Sequence, residues 1–188
     1  MPESSMAGPK SNIVLIGMAG SGKSTIGRLL ARQLDRHFLD TDTLIEKNVN
    51  KHLQEIIDTE SPAGFRRIEE GVILRLNCRN RVIATGGSVV YSQAAMEHLR
   101  RIGQIILLKV ELSVLTARIC NAATRGLVKK PEQSFADLYA ERLPLYVRYA
   151  DYVIDCSGKS KQSVCREIMA LSTAGFPSRE GISSDNPD

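Results

Sequence analysis

Residues 12–25 read NIVLIGMAGSGKST, and the fold turns on how this stretch is parsed. NIVLI is a short apolar run rich in β-branched residues, which suits a buried strand, and a glycine closes it. The following STIGRLLARQL places apolar residues at helical spacing. Between the two lies GMAGSGKST, residues 17–25, which fits G-x-x-x-x-G-K-[ST] in the strand-to-helix setting that this pattern requires. Glycines let the backbone curl, so the N–H groups from Gly20 through Ser21, Gly22, Lys23, Ser24 and Thr25 turn toward phosphate oxygens, and the helix N-terminus adds partial positive charge. Lys23 is expected to bridge the terminal phosphates and the Ser24 hydroxyl to take one place on Mg2+. The stretch predicts a nucleoside triphosphate site.

Working outward, the alternation recurs. RVIAT (81–85) precedes SQAAMEHLRRI (92–102), GQIILLKV (103–110) precedes SVLTARICNA (113–122), and DYVID (151–155) precedes SVCREIMAL (163–171). A long helix is expected around GFRRIEEGVILRLN (64–77). Apolar strands separated by helices predict an α/β fold with a parallel sheet covered on both faces. NAATRGLVKKPEQS breaks the rhythm, and a mobile lid is expected at about 121–135. Segments 1–11 and 172–188 are small, polar and proline-bearing, and are expected to be disordered tails around one domain at 12–171.

The chain has 188 residues, 43% hydrophobic and 24% charged, which suits one domain with a proper core. Its net charge of +4 is spread without a basic block and Trp is absent, which favours an anionic small molecule over nucleic acid. The four cysteines include no C-x-x-C pair and read as reduced thiols. No run approaches membrane-spanning length and no signal-peptide core is visible, so a soluble, cytoplasmic and monomeric protein is expected. A GTPase would need N-K-x-D, and NKHL at residues 50–53 lacks the aspartate. A motor-type ATPase would need a strand ending in Asp-Glu, whereas QIILLKVE offers Glu111 after a valine. Small-metabolite kinases remain, in which a lid keeps water from the phosphoryl group.

FLDTDTLIE, residues 38–46, carries two aspartates one residue apart. At the end of a strand, Asp40 and Asp42 would point to the same side and crowd one site, which calls for water or a cation between them. The alternative is a solvated turn or helix N-cap.

Together with GFRRIEE, IATGGSV, TRGL and ERLPLYVRYAD, these motifs occur in an order that resembles the shikimate kinase family, from Asn12 to about Leu171. The resemblance implies a three-layer αβα nucleoside monophosphate kinase-like fold with a five-stranded parallel sheet. It also implies ATP-dependent phosphorylation of the shikimate 3-hydroxyl, a step of aromatic amino acid biosynthesis. By the same resemblance Asp42 orients or deprotonates that hydroxyl, and Asp40 serves Mg2+. Arg66 and Arg142 grip the substrate carboxylate, for which a planar fork of donors is suited. Glu69, one turn from Arg66, pairs with it. Gly86 and Gly87 lie beneath the substrate ring, Arg125 reaches the phosphates from the lid, and Arg118 and Lys159 lie near the adenine. Two departures stand out: Ser88 occupies the place of a third glycine, and Gly126 follows the lid arginine. Both fall where substrate choice is made, so gluconate or homoserine is the rival substrate. A non-catalytic ATP-binding regulator is the rival class, and it has no use for Asp42, Arg66 and Arg142.

Overall fold

The structure is a computed structural model that describes residues 11–120, 128–129 and 132–173. The expected tails outside 11–173, most of the expected lid, and with it Arg125 and Gly126, lie outside the described residues.

Five strands form: β1 (Asn12–Ile16), β2 (His37–Asp40), β3 (Arg81–Ala84), β4 (Gly103–Lys109) and β5 (Tyr152–Asp155). They make one sheet in the order β2-β3-β1-β4-β5, with every pair parallel. Parallel neighbours need crossovers, and the helices supply them: α1 (Lys23–Gln33), α2 (Thr41–Val49), α3 (Leu53–Thr59), α4 (Pro62–Leu74), α5 (Gln93–Ile102), α6 (Leu112–Cys120), α7 (Phe135–Tyr149) and α8 (Lys161–Thr173). The expected α/β architecture is therefore present.

Position in the sheet explains the patterning of each strand. β1 is buried at all of its positions, and β4 carries the buried run Ile105, Ile106, Leu107 and Leu108. Both are covered on two faces, so neither alternates. The edge strands β2 and β5 are only partly buried. A second apolar cluster, Ile45, Ile56, Phe65, Val72 and Val128, ties α2, α3 and α4 together beside the sheet. At the amino end of β1, the buried Asn12 side chain donates to the Cys78 and Ile102 carbonyls at 2.8 Å each and accepts from the Arg81 N–H at 2.9 Å. That leaves the opposite, carboxyl end of the sheet for chemistry.

Caps and a buried face set the extent of two helices. The long helix starts at Pro62, because Ser61 caps the Gly64 N–H and proline suits a first turn. α7 runs through Pro144, a residue that usually ends a helix. A Ser134–Asp137 capping box starts α7, and Leu138, Arg142, Tyr146 and Tyr149 bury one face of it. Cys78, Cys156 and Cys165 carry free thiols. Among the described residues, no helix is long and apolar enough to cross a membrane.

Candidate active site

The loop between β1 and α1 carries positive φ at Gly17 (141°), Gly20 (81°) and Gly22 (95°). At Gly17 a Cβ would sit 2.8 Å from the Leu108 carbonyl, so the close approach to β4 also demands glycine. Gly22 caps α1 without a side-chain hydrogen bond, which leaves the helix N-terminus open to an anion. The Lys23 Nζ donates to the Gly17 and Met18 carbonyls at 2.8 Å each. Burial pushes its ammonium down to about 8, against the pull of Asp42 and Asp40.

Ser24 Oγ donates to Asp40 Oδ2 at 2.8 Å. Two hard oxygen donors in contact fit Mg2+, which takes one or two protein oxygens and completes its shell with phosphates and water. Among the described residues, no group of three or more His, Cys, Asp or Glu side chains gathers as a closed metal site.

Asp40 and Asp42 are not related by strand alternation. β2 ends at Asp40, which is the N-cap of α2, and Asp42 lies in the first turn of that helix. The other Asp40 oxygen accepts from the Asp42 N–H at 3.1 Å. One carboxylate thus caps a helix and contacts Ser24, while the next looks into the pocket. Burial, and then Asp40, push the Asp42 carboxyl up to about 6, with Lys23 pulling it down.

That pocket is lined by Ala19, Asp42, Phe65, Gly86, Gly87 and Arg142, among others. A Cβ on Gly86 would collide with Glu69 Oε1 and lie 2.8 Å from Asp42 Oδ1, and one on Gly87 would lie 3.0 Å from Arg142 Nη1. The two glycines therefore leave room for the functional side chains themselves. The Gly86 N–H donates to Thr41 Oγ1 at 3.0 Å, and the Tyr146 hydroxyl donates to the Gly87 carbonyl at 2.6 Å. Arg142 is fully buried and donates from Nη2 to the Val128 carbonyl at 2.5 Å.

The expected Arg66–Glu69 pair is absent. Glu69 Oε2 instead accepts a 2.6 Å hydrogen bond from Ser88 Oγ, at the position where a third glycine was expected. Burial pushes the Glu69 carboxyl up to about 7, although the Ser88 bond favours its charged form. The Arg66 guanidinium lies over the Tyr91 ring, 3.8 Å from its centroid, and its Nε is buried without a partner. Ser88 has a suitable acceptor nearby, so it competes for Glu69 over a short, fully buried path.

On the other side of the glycine-rich loop, a cavity of about 310 Å3 is lined by Gly20, Gly22, Thr25, Arg118, Cys156 and Lys159, among others. The exposed Arg118 donates to the Gly20 carbonyl at 3.0 Å, and Lys159 pairs with Glu167 at 2.9 Å. The described site residues thus divide into a nucleotide side and a pocket side, with Lys23, Asp40 and Asp42 between them.

The shikimate kinase family model matches residues 19–172. A shikimate kinase of Caldanaerobacter subterraneus subsp. tengcongensis is 39% identical over 161 residues, covering 84% of this chain and 94% of that protein. The chain belongs to the shikimate kinase family. A solved structure of the family, shikimate kinase from Acinetobacter baumannii in complex with shikimate, superposes with a TM-score of 0.81 at 32% identity, covering 89% of this chain and 96% of that one. A gluconokinase from Sinorhizobium meliloti 1021 shares the fold alone, at 17% identity and a TM-score of 0.56, covering 88% of this chain and 94% of that one.

Sequence reasoning missed two members of this shikimate kinase site. Tyr91 contacts both expected carboxylate-binding arginines, and its one signal is an aromatic residue three positions beyond Ser88. Cys156 lines the nucleotide-side cavity beside Lys159, and its place directly after β5 was available as a clue.

Proposed function

We propose that this chain transfers the γ-phosphoryl group of ATP to the 3-hydroxyl of shikimate, giving shikimate 3-phosphate and ADP. The observation that carries the reading is a pocket where Asp42 and Arg142 face one space, with Lys23 of the phosphate loop behind them. Shikimate is a small ring bearing hydroxyls and one carboxylate, so it needs both a hydroxyl-directing carboxylate and an anion clamp.

The backbone from Gly20 to Thr25 and the Lys23 ammonium hold the phosphates, with Arg118 and Lys159 flanking the nucleoside. Arg66 and Arg142 hold the substrate carboxylate, Arg142 from the pocket lining and Arg66 from its place over the Tyr91 ring. That grip presents the 3-hydroxyl to Asp42, above the floor of Gly86 and Gly87. Asp42 accepts the hydroxyl proton as the oxygen attacks the γ-phosphorus and the bond to the ADP oxygen breaks. A carboxylate held near 6 is a better proton acceptor than an ordinary aspartate and is still ionised at neutral pH. Ser24 and Asp40 would hold Mg2+, which supplies charge neutralisation at the phosphate oxygens. Arg125 is assigned to the same phosphates from the lid, by resemblance to the family.

A coupled ADP-release assay with ATP, Mg2+ and separate shikimate, gluconate and homoserine tests the reading. Turnover with shikimate at the highest kcat/KM is expected. Turnover with another acid and none with shikimate would replace the substrate, and ATP binding without turnover on any acid would favour a regulator.

A further inference from the structure

A clamp made of two arginines on different helices works only if both guanidiniums are held at one separation. Arg142 is anchored on α7 by burial and by the Val128 carbonyl. Among the described residues Arg66 on α4 has no such anchor: it does not pair with Glu69, which accepts from Ser88 at Oε2, and its Nε is without a partner. What touches both is Tyr91. It closes the single 3-10 turn Val89–Tyr91 that follows the glycine loop. The Arg66 Cζ stacks 3.8 Å from the ring centroid, the Arg142 Cζ lies 5.2 Å from the same centroid, and the Arg142 Nε donates to the phenol oxygen at 3.3 Å.

The ring itself is oriented. Its hydroxyl donates to Glu141 Oε1 at 2.7 Å, and Glu141 neighbours Arg142 on α7. The phenol oxygen therefore accepts from Arg142 and donates to the preceding residue, Glu141, and this fixes the ring plane on which Arg66 lies. A planar guanidinium stacked on a fixed ring loses its rotational freedom without spending any of its N–H donors, which stay available to an anion. An ion pair with Glu69 would occupy some of those donors.

We infer that Tyr91 is a positioning residue that holds Arg66 and Arg142 at the separation needed to share one substrate carboxylate. This rests on the functional reading above for the identity of that carboxylate, and on geometry alone for the tie between the three side chains. Tyr91 thereby sets the preference for a carboxylate over its neutral counterpart.

The test compares wild type with Tyr91→Phe and Tyr91→Leu on shikimate and on its methyl ester, which lacks the negative charge. Tyr91→Leu is expected to raise KM for shikimate by about tenfold with kcat and KM for ATP within about twofold, and to erase most of the preference for shikimate over the ester. Tyr91→Phe keeps the stacking face but loses the phenol's bonds to Arg142 and Glu141, so its KM for shikimate should lie between those of wild type and Tyr91→Leu. An unchanged acid-to-ester ratio in Tyr91→Leu overturns the inference, and so does an equal loss on both substrates, which marks mere structural damage. If Tyr91→Leu does not fold, Tyr91→Met keeps the bulk without the ring and takes its place. A second readout needs no turnover: the Arg66 Nε–H resonance should be slow to exchange in wild type and exchange-broadened in Tyr91→Leu, with Tyr91→Phe between them. If wild type ignores shikimate, the functional reading falls while this resonance still decides the positioning claim. A sharp signal in Tyr91→Leu overturns that claim.

Discussion

Asp42 sits between two opposing influences, burial beside Asp40 and the charge of Lys23, and the balance leaves it near 6. A proton acceptor must be ionised, so kcat/KM for shikimate should fall as pH drops below about 6. Asp42→Asn should remove that acidic limb and lower kcat by roughly 10²- to 10⁴-fold with little change in ATP affinity, read from a pH–rate profile and nucleotide titration. An acidic limb that survives the substitution would assign the titration elsewhere. Ser88 gives a second case at this scale. Ser88→Ala would leave both Glu69 oxygens unpartnered in the core, at a cost of about 1–3 kcal/mol. The folded Glu69 carboxyl is raised to about 7, so its stabilising contribution is complete at low pH and is lost as pH rises through 7. Without the Ser88 bond the charged form is penalised further, so the melting deficit of Ser88→Ala should widen between pH 6 and pH 8. Lys23 and Ser24 were legible because their roles follow from one contiguous motif. The Ser88–Glu69 bond and the two arginines on Tyr91 were not, since they join residues 19 to 51 positions apart through packing that no local pattern encodes.

At the scale of elements, period and punctuation were enough to find every strand but β2, and most helices. They failed where a cap or a tertiary face overrode a local rule. Asp40 ends β2 and is also the helix N-cap that the alternative reading offered, so strand alternation does not align it with Asp42. A proline inside a helix usually ends it, yet α7 continues through Pro144 to Tyr149 because its capping box and buried face outweigh one missing N–H. This predicts that Ser134→Ala costs about 1 kcal/mol in a urea melt. Because Arg142 rides on the middle of the same helix, held by Tyr91 and Val128, the substitution should leave KM for shikimate within about twofold. A large KM rise without loss of stability would mean that the start of α7, not its packed middle, sets the position of Arg142.

For the whole molecule, the sheet order explains why these scattered motifs meet. The loops after β1, β2, β3 and β5 all leave the carboxyl end of a parallel sheet. β1 lies at its centre, between β3 and β4, where crossovers diverge to either side and open a crevice. Gly17–Gly22, Asp40–Asp42, Gly86–Ser88 and Cys156–Lys159 are thus gathered by topology, although the sequence separates them by up to 142 positions. The alternating strands and helices made the sheet legible but left its strand order open, because no single-strand pattern fixes its neighbours. Gathering these groups also couples the site to global stability. The buried Lys23 ammonium, lowered to about 8, disfavours the folded state at neutral pH; its share of stability is complete above its unfolded value of 10.5 and is lost as pH falls through 8. Bound phosphates add to the negative charge of Asp42 and Asp40 beside Lys23, so nucleotide binding should take up a proton in this range and weaken as pH rises. At about 100 times its Kd, ATP should stabilise the fold by about 2.7 kcal/mol, or roughly 5–10 °C in melting temperature for a chain of this size. That shift should be larger at pH 7.5 than at pH 9.5, and Lys23→Met should reduce it at both. Equal shifts at the two pH values in wild type would show that the lysine keeps its proton without nucleotide, and that burial there is offset by the Gly17 and Met18 carbonyls and the two aspartates.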